Sequence, residues 1–179
     1  MKSGIPVYTA IETQKAIEDS TGERTVAIQP LREYQIGSFT VTPFNVPHES
    51  EIECYGYLIK HKEMGKLLFL TDLEYCKYNF SGLQVEHVMC ECNYSMEFVD
   101  RNEPNYEHRL RGHMSLDTAL KFIFTNDNPA LRNVVLIHLS DKSGNPKLFK
   151  QKVVETLKYD TEVYVAENGL EVDFNLYPF

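Results

Sequence analysis

The chain has 179 residues, 42% of them hydrophobic and 25% charged, so its composition is that of one ordinary globular domain spanning residues 1–179. Its net charge of −8 argues against broad non-specific binding to nucleic acid, which requires a positive field. No apolar run reaches the ~20 residues of a membrane span, and no signal-peptide pattern is present. Four cysteines without a regular framework indicate a reducing compartment. These features together predict a cytoplasmic protein with no membrane partner.

The first part of the chain alternates short apolar runs with turn residues. An amphipathic pattern predicts a helix over Ala10–Ser20, with Thr21 and Gly22 as its stop signal. Pro43 and Pro47 place the approach to His48 at a sheet edge or outside the hydrogen-bonded ladder. The strand patterns of this part lie at Ile5–Thr9, Thr25–Gln29, Arg32–Ile36 and Phe39–Phe44.

The rest of the chain contains further strands and two helices with clear start signals. Ser115 is a predicted N-cap for a helix over Leu116–Phe124, and Pro146 is the favoured first residue of a helix over Asn145–Leu157. The polar run Asn93–Glu107 predicts a loop, or a short helix followed by a loop. Strands are predicted at Tyr55–Lys60, Lys66–Leu70, His87–Cys92 and Val134–Ile137, and a hairpin at Val163–Ala166 and Leu170–Phe174 around Asn168 and Gly169.

Three potential metal ligands stand where predicted strands end. His48, Asp72 and His138 each come shortly after an apolar strand pattern. Taken singly, each has an ordinary explanation as a surface histidine or a turn-forming aspartate. Residues at strand exits can converge at one sheet edge, where the stiff backbone holds ligands in place. We therefore predict that these three side chains lie within a few ångströms of a common point. Their chemistry suits a divalent ion such as zinc, manganese or iron.

Six short segments, taken together and in order, are far more specific than any one of them. They are Val46-Pro47-His48, Tyr57-Leu58-Ile59, Leu70-Thr71-Asp72, Glu91-Cys92-Asn93, Gly112-His113-Met114-Ser115 and Ile137-His138-Leu139-Ser140. Over most of the chain they resemble the later half of a metallo-β-lactamase-fold hydrolase, most closely the bacterial, exonuclease-like group called the YycJ or WalJ type. Such families carry His-x-His-x-Asp-His before the first segment, and this sequence has no such run. The residues from Gly4 to Thr9 resemble the strand after that motif, so we expect a chain that is N-terminally truncated relative to the family.

The resemblance implies an α/β (α+β) fold, a partial metallo-β-lactamase-like sandwich with a mixed or antiparallel sheet and flanking helices. It also implies a two-metal site for zinc or manganese, with His48 on one ion, His138 on the other and Asp72 bridging them. Without the first motif each ion keeps about two protein ligands, fewer than the three or four of a zinc site. The catalytic residues expected from the resemblance are Asp72 and His113. His113 would contact a phosphate or donate a proton, and a plain loop histidine is an equally good interpretation.

Other candidate residues have two interpretations each. Arg109 and Arg111 could hold a phosphodiester backbone, although solvated loop charges are the commoner case. Cys90 and Cys92 point to the same face of a strand and could form a metal or redox pair, or a thiol sensor. Because no second cysteine pair is present, buried small apolar residues are the favoured interpretation.

Two functional hypotheses follow. The first is a metal-dependent hydrolase of phosphoesters, including nucleic acid, whose missing ligands come from an upstream segment, a separately encoded piece or another subunit. The second is a non-catalytic relic or interaction module of the same fold. In either case the lost half of the sandwich should leave an apolar sheet face, which predicts a homodimer. With its incomplete ligand set, the isolated chain is expected to show little or no hydrolase activity.

Overall fold

A computed structural model describes residues 4–21, 24–49 and 53–177 of the chain. In chain order the elements are β1 (Val7–Thr9), α1 (Ile11–Thr21), β2 (Thr25–Ala27), β3 (Tyr34–Ile36), β4 (Phe39–Val46), β5 (Cys54–His61), β6 (Gly65–Leu70), a 3₁₀ turn (Ser81–Leu83), β7 (His87–Glu91), α2 (Tyr106–Gly112), α3 (Leu116–Asn126), β8 (Asn133–Ile137), α4 (Pro146–Thr156) and β9 (Glu162–Val165). The predicted stop residue Gly22 lies outside the described residues. None of the helices in the described ranges has the length and apolar character needed to cross a bilayer.

Seven strands form the main sheet in the order β3-β4-β5-β6-β7-β8-β9. Pairing is antiparallel from β3 to β6 and parallel from β6 to β9. Because β4 and β6 are both antiparallel to β5, the four strands β4, β6, β7 and β8 run in the same direction, and their carboxyl ends meet at one edge of the sheet. The predicted mixed sheet with flanking helices is therefore confirmed.

The larger core lies between one face of this sheet and the helices α3 and α4. Leu68, Leu70, Cys90 and Leu136 point from neighbouring strands into this core and are fully buried, and Phe149 of α4 packs with them. Burial of each such side chain contributes roughly 1.5–3 kcal/mol. This core fixes the positions of the strands that end at the functional edge.

Side-chain caps start both of these helices, as the sequence predicts. Ser115 Oγ accepts a hydrogen bond from the Thr118 N–H at 3.2 Å, and Asn145 Oδ1 accepts one from the Leu148 N–H at 3.1 Å. Each cap satisfies a backbone donor that the first helical turn leaves free. The helices end at Asn126 and Thr156, within two residues of the predicted ends.

The opposite face of the sheet is only partly covered. The unit formed by β1, α1 and β2 packs over one part of it, where Ala10, Ile28 and Tyr55 form a second, smaller core. Elsewhere alternate residues of the strands remain half-buried, although they are apolar. They include Val41, Ile59, Phe69, Met89 and Ile137. We call this set the second face.

The predicted C-terminal hairpin is wrong. The turn exists, with Gly169 at φ +84°, but only Glu162–Val165 is a strand, and it pairs in parallel with β8. The residues after the turn run on without strand pairing, and the Phe174 ring stacks on His87 with centroids 4.6 Å apart. The later segment does not pair with the free edge of β9, and its Phe174 ring packs on His87 of β7 instead.

Two further predictions about elements need correction. Residues Tyr106–Gly112 form helix α2, whereas the sequence predicted a loop, or a short helix followed by a loop, over Asn93–Glu107. Two early strands are shorter than predicted. Strand β2 ends at Ala27 and β3 begins only at Tyr34, because Pro30 between them has no N–H to donate to a neighbouring strand. Helix α2 is important for the candidate site because His113 follows directly at its C-terminal end.

Candidate metal centre

Acidic and imidazole side chains lie at the carboxyl ends of the three parallel strands β6, β7 and β8. In the sheet register Leu70 of β6 lies beside Cys90 of β7, which lies beside Leu136 of β8. Asp72 follows β6, Glu91 ends β7 and His138 follows β8. The common strand direction and register therefore place these three residues at neighbouring positions without any long connection.

The backbone is left-handed at two of these residues. Asp72 has φ +53° and His138 has φ +56°, values that non-glycine residues adopt at a cost of about 1–3 kcal/mol. Surrounding contacts hold both in place. The His138 carbonyl accepts a hydrogen bond from Asn93 Nδ2 at 2.7 Å, and the Asp72 carbonyl accepts one from Cys54 Sγ at 3.3 Å. Backbone conformation, and not only side-chain rotamers, sets where these two side chains begin.

Asp72, His138 and His113 form a group that could hold a metal ion. One potential ligand atom from each lies within 4.8 Å of the others. Asp72 Oδ1 and His138 Nδ1 are 3.4 Å apart. That separation matches two neighbouring ligands of a tetrahedral ion with bonds of about 2.1 Å. One carboxylate and two imidazoles suit zinc or manganese, so the residues fit such an ion.

Glu91 lies behind this group and is fully buried. Its carboxylate accepts hydrogen bonds from His113 Nδ1 at 2.8 Å and from the Leu73 N–H at 3.1 Å, and His138 Nδ1 lies 3.4 Å away. The hydrogen bond from His113 to this carboxylate raises the pKa of His113 above its ordinary value, against the opposing effect of burial. With Nδ1 engaged by Glu91, His113 has Nε2 left for other partners.

His48 lies beside the group but is held separately. Its Nδ1–H donates to the Gly112 carbonyl at 2.8 Å, and its ring centroid is 6.0 Å from that of His113. A Cβ on Gly112 would come within 3.1 Å of the His48 ring, so the absence of a side chain there lets the ring approach the helix end. The structure thus brings Asp72, His113 and His138 together. It places His48 next to His113, and because Nδ1 of His48 bonds to Gly112, its Nε2 is the ring nitrogen that could bind a metal ion.

The two arginines of α2 behave differently. Arg109 is buried, and its guanidinium donates to Ser143 Oγ at 2.6 Å and pairs with Glu103 at 2.8 Å. The interpretation of Arg109 as a solvated loop charge is therefore wrong, because it joins α2 to the loop after β8. Arg111 is exposed and pairs loosely with Glu107 at 3.7 Å, as a solvated charge would.

Cys90 and Cys92 are buried in the main core. Burial raises the pKa of both thiols, which keeps them protonated and unreactive. The favoured interpretation as small apolar residues agrees with this environment, and a redox or thiol-sensor pair does not.

Sequence reasoning missed the role of Glu91 and of His108. Glu91 sits in the buried run Met89-Cys90-Glu91-Cys92, and a lone acidic residue in an apolar strand is itself a signal, because burial of an unpaired carboxylate is costly. His108 pairs with Glu49, and its ring centroid is 5.6 Å from that of His113. No sequence pattern marks His108, since its position depends on the helix that was not predicted.

Comparison with known proteins yields structural matches only. No family model matches the chain, and no curated protein matches its sequence. The metallo-β-lactamase fold protein YhfI from Bacillus subtilis superposes with a TM-score of 0.67 at 20% identity, over 92% of this chain and 63% of that one. The chain has the metallo-β-lactamase fold.

Two other structures with this fold extend the comparison. Igni18, a metallo hydrolase from Ignicoccus hospitalis, matches with a TM-score of 0.64 at 13% identity, over 90% of this chain and 67% of that one. A diphosphatase from the PhnP family matches with a TM-score of 0.61 at 13% identity, over 94% of this chain and 57% of that one. The chain thus accounts for about 57–67% of the length of these metallo-β-lactamase-fold structures.

Proposed function

We propose that this chain contributes the metal site of a hydrolase that acts on phosphoesters. The observation that carries the proposal is the group of Asp72, His113 and His138 backed by the buried carboxylate of Glu91. The fold is shared with a diphosphatase and with a metallo hydrolase, which supports the same class of chemistry. A bound zinc or manganese ion would supply Lewis-acid stabilisation of the negative charge that develops on the phosphoryl group.

Each residue has a proposed role. Asp72, His138 and His48 would hold the metal. His113 donates a proton to the leaving oxygen, because Glu91 fixes its Nδ1 and leaves Nε2 beside the ligand atoms. Glu91 keeps the imidazole oriented and favours its protonated form. The sequence resemblance to the YycJ or WalJ type favours phosphodiesters, nucleic acid among them, as the substrate class.

A two-metal site needs more ligands than His48, Asp72 and His138 provide. In this proposal the site is complete only when further ligands join these three residues. The isolated chain should then bind zinc or manganese weakly and hydrolyse little substrate.

Metal analysis and hydrolysis of bis(p-nitrophenyl) phosphate test the proposal on the purified chain. We expect Asp72→Asn and His138→Gln each to weaken zinc binding by at least about tenfold, since each removes a ligand. His113→Gln should lose what turnover there is, because it removes a proton donor. His61→Gln is the matched control, since His61 ends β5 at the opposite sheet edge.

Two outcomes would contradict this proposal. Zinc affinity that is unchanged by both ligand substitutions would remove the metal site. Stoichiometric, tightly held metal together with turnover abolished by His48→Ala and Asp72→Ala would show that the chain needs no further ligands.

The second candidate function is a non-catalytic interaction module. It is favoured by the second face, whose apolar residues stay half-exposed. Absence of metal binding by the wild-type chain, with a folded protein and a defined oligomer, would select this alternative.

A further inference from the structure

A cavity of about 700 Å³ lies between α4, the loop after β8 and the segment after β9. Its lining includes Ser140, Asp141, Lys147, Lys150 and Tyr164. Its volume falls within the roughly 300–1,000 Å³ of small-molecule sites. Polar and apolar side chains share the wall, as in sites that hold a molecule with a charged end and a less polar body.

This cavity adjoins the candidate metal centre. The pocket over His113 and His138 has a volume of about 280 Å³ and is lined on one side by Leu139, Ser140 and Asp141. The same three residues also line the larger cavity. The two spaces therefore lie against the same loop, and a molecule with its reacting group at the metal centre would reach the larger space by crossing that loop.

Two lysines of the cavity wall, Lys147 and Lys150, form no ion pair with another described residue. Lys147 and Lys150 are three residues apart on α4, so their side chains emerge from the same face of the helix. Other lysines nearby are already paired, Lys142 with Glu103 and Lys152 with Glu155. Within the described part of the chain, neither Lys147 nor Lys150 forms an ion pair or a side-chain hydrogen bond.

The carboxylates and the lysines of the cavity lie on different segments of the chain. Asp141 lies in the loop shared with the metal pocket, and Glu167 lies in the segment after β9. Lys147 and Lys150 place two positive charges on one helix face, in a chain whose net charge is −8. The positive end of the cavity is thus the α4 wall.

We infer that this cavity holds the non-reacting part of a small phosphoester substrate and that Lys147 and Lys150 bind an anionic group on it. This inference rests on the proposed function for the location of the reacting group. It narrows the substrate to a small molecule that carries a second anion, such as another phosphate, and not a long nucleic acid. Tyr164 and the apolar wall would contact the body of that molecule.

Binding of adenosine 5′-monophosphate and of adenosine to the metal-free protein tests the inference, with amide chemical shifts as the readout. The phosphate-bearing probe should bind at least about tenfold more tightly than adenosine and should shift amides of residues 139–150 and 164–170. The double variant Lys147→Gln, Lys150→Gln should lose this preference. The double variant Lys142→Gln, Lys152→Gln is the matched control, because both of its lysines are already paired.

The metal site and the cavity can fail separately. A wild-type chain that binds no zinc but keeps the lysine-dependent preference for adenosine 5′-monophosphate would contradict only the proposed function. Equal binding of the two probes, or a preference that survives the Lys147 and Lys150 substitutions, would overturn the inference. Tighter binding of a single-stranded DNA decamer with the same lysine dependence would overturn the assignment to a small substrate.

Discussion

At the scale of single residues, Glu91 organises the candidate site from inside the sheet. It is fully buried, and its two oxygens accept hydrogen bonds from His113 Nδ1 and the Leu73 N–H, while His138 Nδ1 lies 3.4 Å away. A buried carboxylate is tolerated only when it is paired in this way. The residue therefore links two imidazoles of the metal centre to the rigid end of β7.

Substitution of Glu91 by Gln should weaken zinc binding by about 10–100-fold, the effect typical of removing a carboxylate that orients a neighbouring imidazole. The amide keeps the size of the side chain but loses one acceptor oxygen. Glu86→Gln is the control, because Glu86 also accepts a backbone N–H, from Lys66 at 2.7 Å, but lies at the opposite end of β7. Isothermal titration with zinc measures both variants, and equal affinities would contradict the role given to Glu91.

A second buried residue, His87, is arranged for the neutral imidazole. Its Nε2–H donates to the Met64 carbonyl at 2.9 Å, while Nδ1 accepts from Asn133 Nδ2 at 3.0 Å. A proton on Nδ1 would face the Asn133 amide donor. Burial lowers the pKa of His87 below its ordinary value of 6.5, and this effect outweighs the hydrogen bond to Met64.

Stability should therefore fall on the acid side of neutrality. The unfolded chain takes up a proton at His87 near pH 6.5, whereas the folded chain takes it up only at lower pH. The free energy of unfolding should decrease as the pH drops from about 6.5 through the folded pKa and should lose no more from this residue below it. Urea titrations from pH 8 to pH 5 measure the slope, and Asn133→Asp should reduce it by supplying an acceptor for the added proton. An unchanged slope in that variant would contradict this account.

At the scale of elements, the contact between β4 and β5 depends on Gly56. A Cβ at this position would meet the Phe44 ring at 2.5 Å, and Phe44 is itself buried in the main core. Gly56→Ala should lower the free energy of unfolding by about 1–3 kcal/mol, because the ring cannot move without disturbing its neighbours. Gly82→Ala is the matched control, since no atom lies within 4 Å of a Cβ there. Urea unfolding of both variants checks the difference, and a loss below ~0.5 kcal/mol for Gly56→Ala would show that the core adjusts.

The sequence predicted those elements whose signals are local. Helices α3 and α4 were predicted because Ser115 and Asn145 are recognisable caps and Pro146 is a recognisable first residue. The strands of the main sheet were predicted from apolar runs between turn residues. The strand-exit positions of His48, Asp72 and His138 could also be read from the sequence, since they depend only on where those runs stop.

The remaining features depend on contacts between distant parts of the chain. Helix α2 has only seven residues and follows a polar stretch, so no local pattern distinguishes it from a loop. The place of Glu91 beside His113 joins residues 22 positions apart. The C-terminal hairpin was predicted from a strong turn signal, but the segment after the turn packs Phe174 on His87, a contact between residues 87 positions apart. Local signals determine a turn, and tertiary pairing determines what the turn connects.

At the scale of the whole molecule, the second face remains the main unexplained surface. It carries partly exposed apolar side chains on several adjacent strands, among them Ile59, Phe69 and Met89. The chain spans about 57–67% of the length of structures that share its fold. We propose that a second copy of the chain covers this face, because a two-fold contact buries the same patch on both copies.

Light scattering at micromolar concentration should therefore show a dimer. Phe69→Glu places a charge in the centre of the second face and should shift the equilibrium to the monomer by at least about tenfold. Leu83→Glu is the control, because Leu83 is exposed in the 3₁₀ turn and not on the sheet. Circular dichroism verifies that both variants fold. A wild-type monomer that stays free of aggregates would contradict the proposed dimer.

The left-handed backbone at Asp72 and His138 also limits which amino acids can replace these two residues during evolution. Aspartate, asparagine and histidine enter that conformation far more readily than other side chains, apart from glycine. Single substitutions can therefore exchange carboxylate, amide and imidazole groups at these positions with little backbone cost. Glutamate and cysteine bind zinc equally well but would carry a conformational penalty there. The backbone conformation at these two positions thus favours side chains that offer oxygen or imidazole nitrogen as metal ligands. Such ligands disfavour the softer metals, which prefer thiolates.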